Sequence, residues 1–391
     1  MITNHNTDIC VDAHLHARQP GTNGIFEAVV PTYVRNSAGL YMMNFPTPLD
    51  LGDTRAALAE CWRYWDEIKK IAAVVNPNHK AILMPVMADK WTPKQLDDFI
   101  KSAKGAGLPL AGFKLFPRGQ STNSDDAPTF ENAVKLMDVV EDNGLVVAIH
   151  GESLVEPNAS HKEEKFVEHI LPHLLVREDG TPRNPKKISF EHITTILALR
   201  FAKEAGIYYS ITPHHTVFFQ EMFGIANTFE AEKILREKYP HFFCKPIVQT
   251  ALNALAMRKE WICGNSSRLI IGTDNAPHLE ANKIAPDASK RFAGMYWGDT
   301  VEGYTTALYP DLGPERVLEN IRKYSKNACN LYSHVLDYDK LSPRVPAPMS
   351  EEKSDIVKSV ADMKVPMSCD DEVFATAAMA AARNMLLEIN R

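Results

Sequence analysis

The chain has 391 residues, a net charge of -6 and 45% hydrophobic residues, enough to bury one large core within a single domain. This mild acidity excludes a protein whose main task is gripping phosphate backbones, and no apolar run is long enough to span a bilayer. Six cysteines (Cys10, Cys61, Cys244, Cys263, Cys329 and Cys369) are scattered without a CxxC pair, and the start MITNHNTDIC lacks the basic and apolar parts of a secretory signal. Reduced thiols and a cytoplasmic location are therefore expected.

Along the chain, short apolar runs predict strands at 9–16, 39–44, 81–87, 111–116, 145–150, 188–193, 207–212 and 268–274. Between them, periodic segments predict helices at 54–73, 92–106, 129–143 and 193–205. Asp53-Thr54 and Thr92-Pro93 are helix openings, while Gly105-Ala106-Gly107 and Asn143-Gly144 are helix ends. Residues 152–187 are polar and Pro-rich, with a helix expected around 162–175 between two loops. The stretch 341–367 reads as irregular, and 371–391 as an Ala/Met-rich helix. Strands alternating with helices predict βαβ units, and eight of them predict a (β/α)8 TIM barrel of the α/β class. The expected organisation is a barrel domain over 1–342 and a C-terminal extension over 343–391, irregular and then helical.

Metal-type side chains lie at the carboxyl ends of these strands. The first ends in His14-Leu15-His16, whose spacing sends both imidazoles to one side of a strand. Lys114 is on the fourth strand, His150 ends the fifth, His192 is on the sixth and Asp274 ends the eighth. In a (β/α)8 barrel these positions converge on one rim. A lone HxH is weak evidence, His150 alone could be a satisfied core histidine, and Asp274 alone could cap a helix. Placement of such side chains at five strand ends is hard to explain by packing. The set suits zinc or a similar divalent ion.

The segments DAHLHAR, GFKLFPRGQSTNS, VVAIHGE, SFEHITT, SITPHH, CKPIVQ and LIIGTDNAPH resemble, in order and spacing, dihydroorotases of the shorter bacterial type, members of the amidohydrolase superfamily. The resemblance runs from about Asp12 to Gly294. It implies two divalent ions, with zinc first among the candidates. His14, His16 and Asp274 would hold the more buried ion and His150 and His192 the more exposed one, with a carboxylated Lys114 bridging both. It also implies that a hydroxide shared by the metals attacks the ring carbonyl of dihydroorotate, with Asp274 as the proton carrier. The reverse reaction closes N-carbamoyl-aspartate in pyrimidine biosynthesis. By the same resemblance Arg18, Asn44 and His278 hold the substrate carboxylate, backbone groups of Lys245 and Ala293 meet its ring, and Ser121 and Thr122 belong to a mobile loop. His215 matches a histidine at the end of the seventh strand, in a supporting position. Cys244 reads as a buried structural thiol.

Several positions depart from the family: Gln19-Pro20 after Arg18, a lysine at 245 where an apolar residue is usual, a longer 282–292 segment and an unfamiliar tail from Pro343. The expected partner is a small-molecule substrate, with no nucleic acid or membrane, and the terminal helix offers a surface for a homodimer. Two rival functions are a hydantoinase or allantoinase with the same metal set, and a non-catalytic barrel serving another enzyme.

Overall fold

The computed structural model describes residues 8–119, 122–153 and 161–346. Eight parallel strands follow in chain order: β1 (Val11–Leu15), β2 (Ala38–Met43), β3 (Lys80–Pro85), β4 (Gly112–Leu115), β5 (Val146–His150), β6 (Ile188–Glu191), β7 (Tyr208–Ile211) and β8 (Leu269–Ile271). They form one run β1-β2-β3 and another β4-β5-β6-β7-β8. Single bridges join the runs at both seams. Leu83 pairs with Leu110 and Val86 with Lys114 on one side, and Leu15 pairs with Asn275 on the other. The sheet therefore closes in sequence order into a (β/α)8 barrel, the expected architecture.

The helices follow the alternation. Helices α1 (Ile25–Tyr33), α2 (Thr54–Val75), α3 (Pro93–Gly105) and α4 (Phe130–Asp142) precede β2, β3, β4 and β5. Next come α5 (Lys162–His169), α6 (Leu171–Leu174), α7 (Ile196–Ala205), α8 (Ala231–Lys238) and α9 (Ala251–Cys263), then α10 (Glu280–Lys283), α11 (Val301–Leu308) and α12 (Pro314–Leu331). The openings read from sequence have physical causes. Asp53 accepts from the Ala56 N–H, and Thr92 and Gln95 make a reciprocal capping box with Pro93 in the first turn.

Two expected elements are corrected. The helix expected over 193–205 begins at Ile196, because Ile193 N–H still donates to Ser210 O at 3.0 Å and the Thr195 side chain caps the helix. The helix expected around 162–175 is two, broken at Ile170 ahead of Pro172. The tail described to residue 346 is irregular beyond a short turn at Tyr338–Lys340, and the helix expected over 371–391 lies outside the described residues. Cys10, Cys61, Cys244 and Cys329 are free thiols. No helix among the described residues is long and apolar enough to cross a membrane.

Two-residue periodicity divides the core into shells. Val11, Ala13, Leu40, Met42, Ile82, Met84, Val146, Ala148 and Ile270 fill the barrel interior. Their alternates Leu15, Tyr41, Leu83, Phe113, Val147, Ile149 and Ile211 pack outward against the helices. The end of α12 and the turn after it add Ala328, Leu331, Tyr332 and Leu336 to the interior cluster. They plug the amino-terminal end of the barrel, where the Ser325 hydroxyl accepts from Val11 N–H at 2.9 Å. Chemistry is left with the opposite mouth.

Candidate active site

The carboxyl ends of the strands bring the expected ligand candidates together. The pairing of β1 with β2 shifts register between Asp12 and Leu15, so His14 and His16 face the mouth while Leu15 packs outward. His14 Nε2 and His16 Nε2 are 3.3 Å apart, and each lies 3.4 Å from Asp274 Oδ1. That triangle is a ready set of three donors for one cation. Across the mouth, His150 Nδ1 lies 3.1 Å from His192 Nε2. Lys114 is fully buried beside them, and its Nζ has no hydrogen-bond partner.

The backbone adopts unusual conformations here. Arg18, His192 and Asp274 all have left-handed backbone, with φ of 67°, 40° and 47°. Such values are rare for residues with a Cβ and persist only where surrounding structure enforces them. At Asp274 the β8–β1 seam does so, through Asp274 N–H to His14 O and His16 N–H to Asn275 O, both at 2.9 Å. At His192 the Ser210 hydroxyl accepts from its N–H at 2.5 Å. Both Thr194 and Thr195 then direct backbone N–H and hydroxyl groups onto the buried Glu163 carboxylate.

Two histidines are held from behind by carboxylates that sequence reasoning missed. His14 Nδ1 meets Glu191 Oε2 at 2.9 Å, and His150 Nε2 meets Glu152 Oε2 at 2.8 Å. Burial pulls both rings below the usual histidine range, His14 to about 4 with the Lys114 charge adding to the effect. Burial alone would raise the two carboxylates, but the histidine hydrogen bonds and nearby lysine charges outweigh it and leave both below the ordinary range. Each pair is therefore a neutral ring donating N–H to a carboxylate, with the other nitrogen's lone pair aimed into the mouth. This arrangement orients metal-binding histidines. The visible signal was adjacency: Glu191 directly precedes His192, and Glu152 lies two residues after His150.

Burial also draws the Lys114 ammonium down to about 8, against the opposing charges of Glu191 and Asp274. A buried amine with an accessible neutral form and no partner suits conversion to an anionic ligand.

The same cleft is lined by Arg18, Asn44, Thr122, Lys245 and Ala293. Arg18 Nε donates to Pro277 O at 2.8 Å, and its Nη2 lies 2.9 Å from His278 Nε2. That histidine nitrogen is also 2.8 Å from Ala293 O. A neutral ring nitrogen serves only one of these roles, leaving either the guanidinium or the carbonyl open to another partner. Asn44 Nδ2 donates to Thr122 O at 2.7 Å, which ties this residue to the loop expected to move; Ser121 lies outside the described residues. The Lys245 ammonium is 3.6 Å from Glu232, which also accepts from Lys162 at 2.8 Å. The 243–245 and 292–294 segments are joined by Lys283, buried in α10, which donates to Phe243 O, Phe292 O and Gly294 O. Nothing in the sequence singles out Lys283. His215 lies off this cleft, beside His214 and Cys244.

No protein-family model matches the chain. Dihydroorotase of Hahella chejuensis is 30% identical over 314 residues, 79% of this chain and 81% of that protein. Dihydroorotase of Azoarcus sp. is 33% identical over 290 residues, 73% of this chain and 74% of that protein. The crystal structure of dihydroorotase from Saccharomyces cerevisiae in complex with 5-fluoroorotic acid superposes with a TM-score of 0.65 at 21% identity, covering 83% of this chain and 84% of that one, a likeness of fold. At that identity over most of the chain, in a barrel whose rim gathers histidine, carboxylate and lysine donors, the protein belongs to the dihydroorotase family of the amidohydrolase superfamily.

Proposed function

We propose that the protein is a metal-dependent dihydroorotase, which interconverts N-carbamoyl-L-aspartate and (S)-dihydroorotate in pyrimidine biosynthesis. The observation that carries this reading is the partnerless Lys114 Nζ, buried among the donor nitrogens of His14, His16, His150 and His192 and the Asp274 carboxylate. An ammonium there would repel two dications. If the neutral amine attacks CO2, an N–C bond forms, a proton leaves and the lysine becomes an anion with two oxygens. The donor set then fits two divalent ions. His14, His16 and Asp274 would hold one, His150 and His192 the other, and the Lys114 carbamate both. Such ions supply water of lowered pKa and polarise a carbonyl; histidine and carboxylate donors accept zinc ahead of harder ions.

The chain's own groups do the rest. Asp274 is placed to take a proton from the attacking water and return it to the leaving ring nitrogen. Arg18 presents its charge in the cleft to the substrate carboxylate, with His278 beside it. The loop at Thr122, hydrogen-bonded to Asn44, excludes water when substrate is bound. The neutral rings of hydantoin and allantoin lack the carboxylate that Arg18 would meet, which places those substrates second.

The test is a direct assay in both directions with metal-replete protein. Dihydroorotate hydrolysis and carbamoyl-aspartate cyclisation are expected, and Lys114→Ala is expected to lose bound metal and turnover together. Native apo-protein is expected to regain both only when metal is added with bicarbonate. Hydantoin turnover without dihydroorotate turnover would overturn the substrate assignment. Absence of any turnover at full metal content would favour the non-catalytic barrel.

A further inference from the structure

Among the described residues a second set of metal-type donors converges away from the triangle of His14, His16 and Asp274: His214, His215 and Cys244. The histidines occupy the 3-10 turn Pro213–Thr216 just past β7, and Cys244 lies on the segment that also carries Lys245. All three side chains are about 1% exposed, and one donor atom from each lies within 4.8 Å of the others.

The hydrogen bonding points to a missing occupant. His214 Nδ1 is engaged by the Tyr304 hydroxyl at 2.5 Å, but its Nε2 has no partner, and neither nitrogen of His215 has one. Buried polar atoms are ordinarily satisfied, because leaving one without a partner forfeits its hydration with nothing in return. Three such nitrogens occur on two rings whose centroids are 4.3 Å apart. Tyr304 can accept the His214 Nδ1 proton, which fixes the tautomer that leaves Nε2 as a donor to metal. Cys244, whose thiol makes a weak donation to Pro246 O at 3.3 Å, supplies the soft ligand.

We infer that His214, His215 and Cys244 form a third, buried site for one zinc-class divalent cation, separate from the pair at Lys114. The cation replaces the thiol proton, which is released to solvent as the sulfur–metal bond forms. Tetrahedral zinc places its nitrogen and sulfur ligands about 3.5 Å apart, so the three side chains need to draw in by about 1 Å. Two imidazoles and a thiolate leave a fourth position open, and the sulfur selects against magnesium and calcium. Occupied, the site would tie the turn after β7 to the segment whose next residue, Lys245, lines the active cleft.

The test uses the full-length protein reconstituted with Co2+ and bicarbonate, with metal analysis and absorption spectroscopy on one sample. The native protein is expected to hold one metal equivalent more than Cys244→Ser and to show a near-ultraviolet thiolate-to-cobalt charge-transfer band that the variant lacks. His214→Gln, whose amide N–H keeps a donor for Tyr304 while the ring nitrogen that would meet the metal is removed, is expected to weaken retention of that same equivalent at least about tenfold. The absence of the band from the native protein, or its survival in Cys244→Ser, would overturn the site. Should Cys244→Ser fail to fold, the native spectrum and His214→Gln decide the matter.

Discussion

Glu191 shows how much of a metal site lies behind its ligands. Its carboxylate accepts from the Ser210 hydroxyl at 3.0 Å, is hydrogen-bonded by Ser189 and faces His14 Nδ1, fixing the ring so that Nε2 points at His16 and Asp274. Glu191→Gln keeps the shape but loses the negative charge. It is expected to weaken metal binding 10–100-fold with little effect on the barrel, as metal titration and thermal melting would show. For Asp274→Asn at unchanged metal content, turnover is expected to fall at least about a hundredfold, the scale of a general acid–base group; near-normal turnover would remove it from proton transfer. Arg18→Met keeps aliphatic bulk and removes the charge. An expected loss of about 1.5–3 kcal/mol in kcat/KM on dihydroorotate follows from a charge-assisted contact, and unaltered kinetics would place the substrate carboxylate elsewhere.

Among the elements, β1 and β8 are held at a separation set by absent side chains. A Cβ on Gly272 would come within 2.5 Å of His14 Cβ and 3.1 Å of His14 N. Gly272→Ala is therefore expected to push the strands apart, costing about 1–3 kcal/mol and lowering metal affinity at the same time. Asp12 works in the same place, accepting from Thr273 N–H and hydroxyl and from His14 N–H, and so pins the seam just before the first ligands. At the foot of β2 and β3, His79 is buried with Nδ1 2.8 Å from Asn36 O and Nε2 3.1 Å from the Tyr41 hydroxyl. Burial lowers it from 6.5 to about 4, against the Asn36 hydrogen bond. The unfolded chain therefore binds a proton between those values that the folded chain refuses. The resulting stability, on the order of 3 kcal/mol, is present above pH 6.5 and lost as pH falls toward 4. Replacing His79 with Gln is expected to make the acid limb of a denaturation–pH profile shallower by about one proton; an unchanged slope would refute this assignment.

For the whole molecule, one end of the barrel is sealed and the other does the chemistry. Helix α12 is strapped below the strands by Asn327, whose Nδ2 donates to Leu269 O at 2.7 Å and Ser266 O at 3.1 Å. Behind it Leu336 and Tyr332 sit inside the barrel floor. Truncating Leu336 to Ala is expected to cost about 2–5 kcal/mol in a denaturant titration. Tyr332 differs, since its hydroxyl is buried without a partner. Tyr332→Phe is expected to leave the melting temperature unchanged or raise it, and a drop would reveal a bond this hydroxyl makes.

The period of the sequence by itself determined the class of fold and most of the rim. Alternating short strands and helices can bury both faces of a parallel sheet in few ways, and the metal-type residues stood at the strand ends, so His14, His16, Lys114, His150, His192 and Asp274 were all legible. Strand ends were less so. The sequence predicts the last strand through Asp274, but β8 ends at Ile271 and Asp274 N–H bonds to His14 O, because whether a residue continues its strand depends on which neighbour receives its hydrogen bond. Tertiary structure alone decided the left-handed backbone at Arg18, His192 and Asp274, the pairing of Glu191 with His14, and the Lys283 bridge. The physical reason is range. Period and capping act over a turn or two of chain, whereas a carboxylate behind a histidine or an amine among three carbonyls is fixed by residues distant in sequence. Their adjacency exists only after the barrel has closed.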